Sequence, residues 1–263
     1  MPNRKPLLGE LLDYGNPFTK GLVGLWLMNE GSGNTVADLS GNGNTGTSTG
    51  TDWVAGKYGS AQSFILADSD IINLGTIPQF TFNSGDAFSV VSYFKFNSVG
   101  ADWQAVFIKS YRIGHYDQRG IAFLVHPAGT QVMIHCGTES ITVNKDFTTY
   151  HQIIATFDGS TLRVYFDGVF QNSVAVADDL SSGNARTAYI GRDDYPGHNF
   201  EGVVDYTYVY NRALIASEIA QLFREPFCMV RTRRRRVIFD EIAGVPPTSS
   251  PYYYREIASR RIA

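Results

Sequence analysis

The run Asp38, Leu39, Ser40, Gly41, Asn42, Gly43, Asn44 puts a carboxylate, a hydroxyl and two amides on a glycine-rich backbone. Calcium takes roughly six to eight oxygens of this kind. The run starts in EF-hand order, with Asp38, Ser40, Asn42 and Gly43 at the first, third, fifth and sixth places. The twelfth place is Thr49 rather than a bidentate glutamate, and no helices flank it, so it is not an EF-hand. Two readings stay open. Either the loop holds a structural calcium, or Asp38, Asn42 and Asn44 only cap a turn through side-chain to backbone bonds.

The same glycine-rich region yields three formal motif matches that fail on context. Gly41 to Gly46 fits a dinucleotide fingerprint, but Thr, Ser and Gly follow where a helix must start. Gly46 to Gly50 fits a nucleophile elbow without the strand-to-helix turn that gives such an elbow its geometry. Gly56 and Lys57 suggest a phosphate loop, yet Thr51 stands for its first glycine and Tyr58 for its Ser/Thr. The histidines (115, 126, 135, 151 and 198) are scattered; His126 and His135 flank a turn and either pair across it or sit as ordinary strand-edge residues. No catalytic set emerges, and the chain is read as a non-enzyme.

Sugar binding needs an aromatic platform with polar groups beside it. Trp53, Trp103, Tyr111, Tyr116 and Tyr195 lie in or near predicted loops, with His115 and His198 close in sequence. They either form such a platform or seal the ends of the fold. The other unusual segment is basic: Arg231, Arg233, Arg234, Arg235 and Arg236 run into Val237, Ile238 and Phe239, with Tyr252, Tyr253 and Tyr254 downstream. Arginine clusters neutralise phosphates or acidic protein faces. With apolar residues directly following, docking on a protein suits the segment better than binding nucleic acid directly.

The elements that must position these residues are strands. Phe88, Val90, Phe94 and Phe96 alternate with Ser89, Tyr93 and Lys95, with Val91 among the latter, the period of a strand with one buried face. Residues 150–157, 161–166 and 169–177 read as a three-stranded meander turned at Asp158-Gly159 and Asp167-Gly168, since Asp-Gly supplies positive φ angles. Ile219, Leu222 and Phe223 mark a short amphipathic helix from Ala216. Hydrophobic residues make up 43% of the 263-residue chain, enough for a large core. The net charge of −3 divides into +5 over residues 224–263, from nine arginines and four acids, and −8 over the remainder. Cys136 reads as a buried thiol, and a bridge to Cys228 has no support from spacing. No run is long enough to span a bilayer, and residues 1–14 lack the apolar stretch of a secretory signal, so synthesis in a cytoplasm is expected.

Three blocks carry a resemblance: GLVGLWLMNEGSGNTVADLSGNGNTGTSTGTDWVAGKYGSAQSF (21–64), YHQIIATFDGSTLRVYFDGVFQ (150–171) and AYIGRDDYPGHNFEGVVDYTYVYNRALIASEIAQLF (188–223). Their tryptophan strand, E-G-S-G and D-x-S-G-N-G-N-x-G order resemble the laminin G-like, concanavalin A-like jelly-roll family over residues 21–223. The resemblance implies an all-β, antiparallel two-sheet sandwich with one short late helix, between arms at 1–20 and 224–263. It also implies a structural calcium beside the Asp38 loop, helped by Asp205 of the late strand and by Glu30. In place of the glutamate that usually follows, this chain has Tyr206. Relatives carry a Ser or Thr helix cap where this chain has Ile215. β-Glucan-cutting members resemble one another in an E-x-D-x-E strand that is missing here; Glu201 and Asp205 share a face with only apolar Val203 between them.

Two functions follow as expectations. The first is a structural protein of a virus particle, a bacteriophage capsid decoration, fibre or tail component. It would be located in the virion, dock other virion proteins through its arms and form a homo-oligomer or larger assembly. Segment 222–229 is similar to helix-exit segments of laminin G-like proteins encoded in phage genomes. The second is a calcium-assisted carbohydrate-binding or adhesion module, free or at a cell surface. The two merge if a particle-surface sandwich binds host-surface glycans.

Overall fold

The fold was described from a computed structural model, in which residues 4–68, 70–97, 102–113, 117–193 and 198–231 are described. All fall in one unit, residues 1–232; a second unit, residues 233–263, lies outside them. Tyr116, Tyr195, Arg233, Arg234, Arg235, Arg236, Phe239, Tyr252, Tyr253 and Tyr254 therefore lie outside the described residues, as does His115.

The strands are β1 (Leu22–Trp26), β2 (Thr35–Val36), β3 (Gly46–Thr49), β4 (Asp52–Ala55), β5 (Ser60–Phe64), β6 (Ile71–Asn73), β7 (Phe88–Phe96), β8 (Gln104–Ile113), β9 (Asp117–Val125), β10 (Gln131–Gly137), β11 (Glu139–Asn144), β12 (His151–Phe157), β13 (Thr161–Phe166), β14 (Val169–Ala175), β15 (Tyr189–Ile190) and β16 (Gly202–Tyr210); helix α1 spans Ala216–Arg224. They form two antiparallel sheets. Sheet one runs β14-β13-β12-β7-β16-β5-β4, with β1 joining β16 beyond the end of β5. Sheet two runs β11-β10-β9-β8-β15-β6-β3-β2.

The inner faces meet in a core that includes Trp26, Phe64, Phe88, Phe94, Phe107, Phe123, Ile134 and Ile190. Trp26 is fully buried, and its indole N–H donates to the Asn44 carbonyl at 2.7 Å. That ring lies where a side chain at residue 24 would stand, within 2.1 Å of a Cβ there, so Gly24 is required by the close approach.

The expected meander is present, and so is its turn chemistry. Asp167 and Gly168 both take positive φ (48° and 77°), the backbone of a two-residue type I′ hairpin. At the other turn only Gly159 does so (φ 95°), because Ser160 and Thr161 widen the connection and donate to the Asp158 carboxylate.

The expectation of one buried face on β7 fails. Phe88, Val90, Phe94 and Phe96 enter the inter-sheet core as read, but Val91 and Tyr93 join a second core on the opposite face. Helix residues Ile219 and Leu222, arm residues Leu12 and Phe18, and Met229 and Val230 cover that side. The described parts of both expected arms are thus docked: Leu12 bridges Val230, and the Arg231 N–H donates to the Leu11 carbonyl at 2.9 Å.

Candidate functional site

The Asp38 carboxylate is taken up locally. Oδ1 accepts from the Leu25 and Ser40 amides (3.0 and 2.8 Å), and Oδ2 accepts from the Ser40 hydroxyl and the Asn44 amide (2.8 and 2.9 Å). Asn42 and Asn44 donate their side-chain N–H groups to carbonyls of β1, at Leu22 and Val23. Gly41 and Gly43, at φ 87° and 78°, let the backbone curl around the carboxylate. This is the turn-capping alternative.

Asp205 is fully buried on β16, 2.8 Å from the Lys5 ammonium, and its Oδ2 accepts the Lys57 amide at 2.6 Å. Glu30 accepts the Ala37 amide at 2.7 Å, with its other oxygen buried and without a hydrogen bond. Among the described residues, no three carboxylate, histidine or cysteine groups gather as a metal site. The residues present therefore do not fit one calcium shared by the Asp38 loop and Asp205.

The aromatic candidates separate. Trp53 lies half-buried on β4, packs on the main core and donates its indole N–H to the Gly33 carbonyl at 2.7 Å, which seals an edge of the sandwich. Trp103 precedes β8 and Tyr111 lies within it, so eight residues of extended chain, about 26 Å, separate their backbones. His126 and His135 do not pair, because His135 lies opposite Ala122. Cys136 and Cys228 are both free thiols. Burial pushes Cys228 up to about 11 and Cys136 further still, so neither is a ready thiolate at neutral pH.

What the register assembles instead is a row across sheet two. Directly opposed residues of antiparallel strands share a face. The pairings run Ser140, His135, Ala122, Ile108, Tyr189, Asn73, Thr47, Thr35, one residue from each of the eight strands. The alternate residues Cys136, Ile121, Phe107, Ile190 and Ile72 face the core, so this row lies on the outer side.

The row changes character along its length. Ala122 and Ile108 are buried there with Ala105 and Leu124, and the half-exposed rings of Trp103 and Tyr189 pack against them. Beyond Tyr189 the row is exposed and polar at Asn73 and Thr47. Those two residues help line a groove of about 400 Å³, with Asn44, Thr45, Leu74 and Thr76 among its other walls. An aromatic ring next to a groove of hydroxyls and amides is the combination a sugar needs: an apolar face for its C–H surface and partners for its hydroxyls.

Tyr189 is missed by a search for loop aromatics because it lies in a two-residue strand. Its signal is the alternation Ala188, Tyr189, Ile190, in which the flanking residues are fully buried and Tyr189 is not. At the far end of β15 the buried His198 ring lies between Asp193 (3.2 Å) and Asp102 (3.5 Å), tying the following loop to the start of β8 beside Trp103.

The family model described as the concanavalin A-like lectin/glucanases superfamily matches residues 69–220. No curated protein matches the chain. Among solved structures, the binding domain of Paraclostridial Mosquitocidal Protein 1 superposes with a TM-score of 0.64 at 15% identity, over 79% of this chain and 53% of that one. This chain thus spans about half the length of that structure. Domain 4 of AbnA, an extracellular arabinanase of Geobacillus stearothermophilus solved with arabinotriose, gives 0.58 at 18% identity, over 76% and 97%. The binding domain of botulinum neurotoxin DC, solved with rat synaptotagmin II, gives 0.59 at 13% identity, over 78% and 51%. At these identities the likeness is one of fold.

Proposed function

The chain belongs to the concanavalin A-like lectin/glucanase superfamily, whose model covers more than half of it, and from that premise we propose that it is a non-catalytic carbohydrate-binding module whose glycan lies on the outer face of sheet two. One observation carries the reading: the register puts Tyr189 directly beside Asn73, which together with Thr47 on the next strand lines the groove. The ring supplies a stacking surface, and the Asn and Thr side chains select the hydroxyl pattern. The names of the similar structures, binding domains of toxins and a domain solved with an arabino-oligosaccharide, support a binding role of this kind. The proposal includes no metal, since Asp38 is spent on its own turn. The role in a virus particle, with docking through the arms, keeps only its sequence grounds.

The test is titration calorimetry against gluco-, galacto- and arabino-configured oligosaccharides. Tyr189→Ala and Asn73→Ala are each expected to weaken the best ligand about tenfold, which is about 1.4 kcal/mol; both should stay folded, with Tyr189→Ala melting lower because its ring covers the outer cluster. Absence of binding to any glycan, or equal binding by both variants, would overturn the reading.

A further inference from the structure

The surroundings of Lys5 stand apart from this face. Its side chain is 3% exposed, and its ammonium lies 2.8 Å from the Asp205 carboxylate, whose side chain is fully buried. It donates to the Ser60 carbonyl and, at 3.4 Å, to the Met28 carbonyl. Met28 is a non-glycine residue in the left-handed region (φ 45°), a costly conformation that persists where its surroundings hold it. Glu30 adds attraction from nearby, and its second carboxylate oxygen is buried without a hydrogen bond. Gly56 clears the space for Asp205, because a side chain there would begin 2.3 Å from Oδ2.

Two backbone carbonyls and the Asp205 carboxylate around one buried positive charge, with the Glu30 charge acting on it as well, are calcium-type donors. An ammonium is a compact point charge with three donors, able to satisfy several oxygens at once. It comes from the N-terminal arm, some 200 residues from Asp205 in sequence. Burial lowers the lysine pKa, and the attraction of Asp205 and Glu30 opposes that fall.

We propose that the Lys5 side chain is the resident cation of this oxygen cage, and that withdrawing it turns the cage into a calcium site. The sandwich then holds this corner together without metal, and the same contact fastens the arm to the body. The acids Glu30 and Asp205, expected to serve a calcium, here serve an internal ammonium. The inference does not depend on the glycan proposal.

The experiment compares the wild type, Lys5→Met and a chain lacking residues 1–7 by thermal melting and calcium titration. The wild type is expected to melt at the same temperature in calcium and in chelator. Both altered chains are expected to melt lower in chelator and to recover by several degrees in millimolar calcium. Adding Asp205→Asn to Lys5→Met should abolish that recovery, which locates the ion in the cage. If Lys5→Met unfolds in chelator, refolding in calcium is the same supporting result. The inference is overturned if neither altered chain gains at least tenfold in calcium affinity. It is equally overturned if the wild type binds calcium as tightly as they do and loses that binding with Asp205→Asn.

Discussion

Asp178 closes the turn after β10 by accepting the Thr138 amide and hydroxyl, both at 2.7 Å, and pairs with Arg119 at 3.0 Å. The Thr138 amide above all, helped by its hydroxyl and the arginine, holds this carboxyl below the usual range against the opposing effect of burial. The folded state therefore prefers the ionised form. The resulting stability is fully present above the unfolded pKa of about 4 and is lost as the pH falls through the lower folded value. Asp178→Asn should flatten the acid limb of the melting temperature measured between about pH 5 and pH 2; an unchanged limb would remove Asp178 from that account. Tyr189 acts on two counts at the same scale. Its ring packs on the outer cluster of sheet two, so its removal is expected to lower the melting temperature as well as ligand affinity.

Elements explain which parts of the chain were legible. The meander was readable because its information is local: alternating side chains and two Asp-Gly pairs lie within 28 residues of sequence. Helix α1 was readable for the same reason, down to its weak start. Ile215 has the extended backbone of a cap (φ −86°, ψ 160°) but no oxygen to offer, and only the returning Glu218 carboxylate, 3.0 Å from the Ile215 amide, supports that end. Because Ile215 is 63% exposed, Ile215→Ser gives up little burial and gains a cap worth about 1 kcal/mol. The melting temperature should rise by about 2–4 °C in a protein of this size; no rise would mean that Glu218 already satisfies the helix end. The row containing Tyr189 was not legible. Its eight residues come from eight strands, and only the long-range pairing of β15 with β8 and β6 brings Tyr189 beside Asn73. The Lys5–Asp205 pair was hidden likewise, because no local pattern marks a lysine that will meet an aspartate 200 residues later.

For the whole molecule, the consequence is a sandwich with three buried sheet faces: the two that meet in the inter-sheet core and the outer side of sheet one. Strand periodicity indicates that a residue leaves one face; it does not indicate that arms and helix will cover the other. Leu12 and Leu11 make that covering testable with neighbouring residues. Leu12→Ala removes a side chain 4% exposed and should cost about 2–4 kcal/mol, whereas Leu11→Ala, 69% exposed, should stay within about 0.5 kcal/mol. Equal effects in denaturant titrations would mean that the arm does not hold this position in solution. Among the described residues, the glycan reading rests on the outer face of sheet two. The most direct measurement is NMR shift mapping with the best-binding oligosaccharide. The account predicts the largest amide and side-chain shifts at Tyr189, Asn73, Thr47 and Thr76. Shifts centred on Trp53 or on the β8–β9 hairpin, with Tyr189 unmoved, would contradict it.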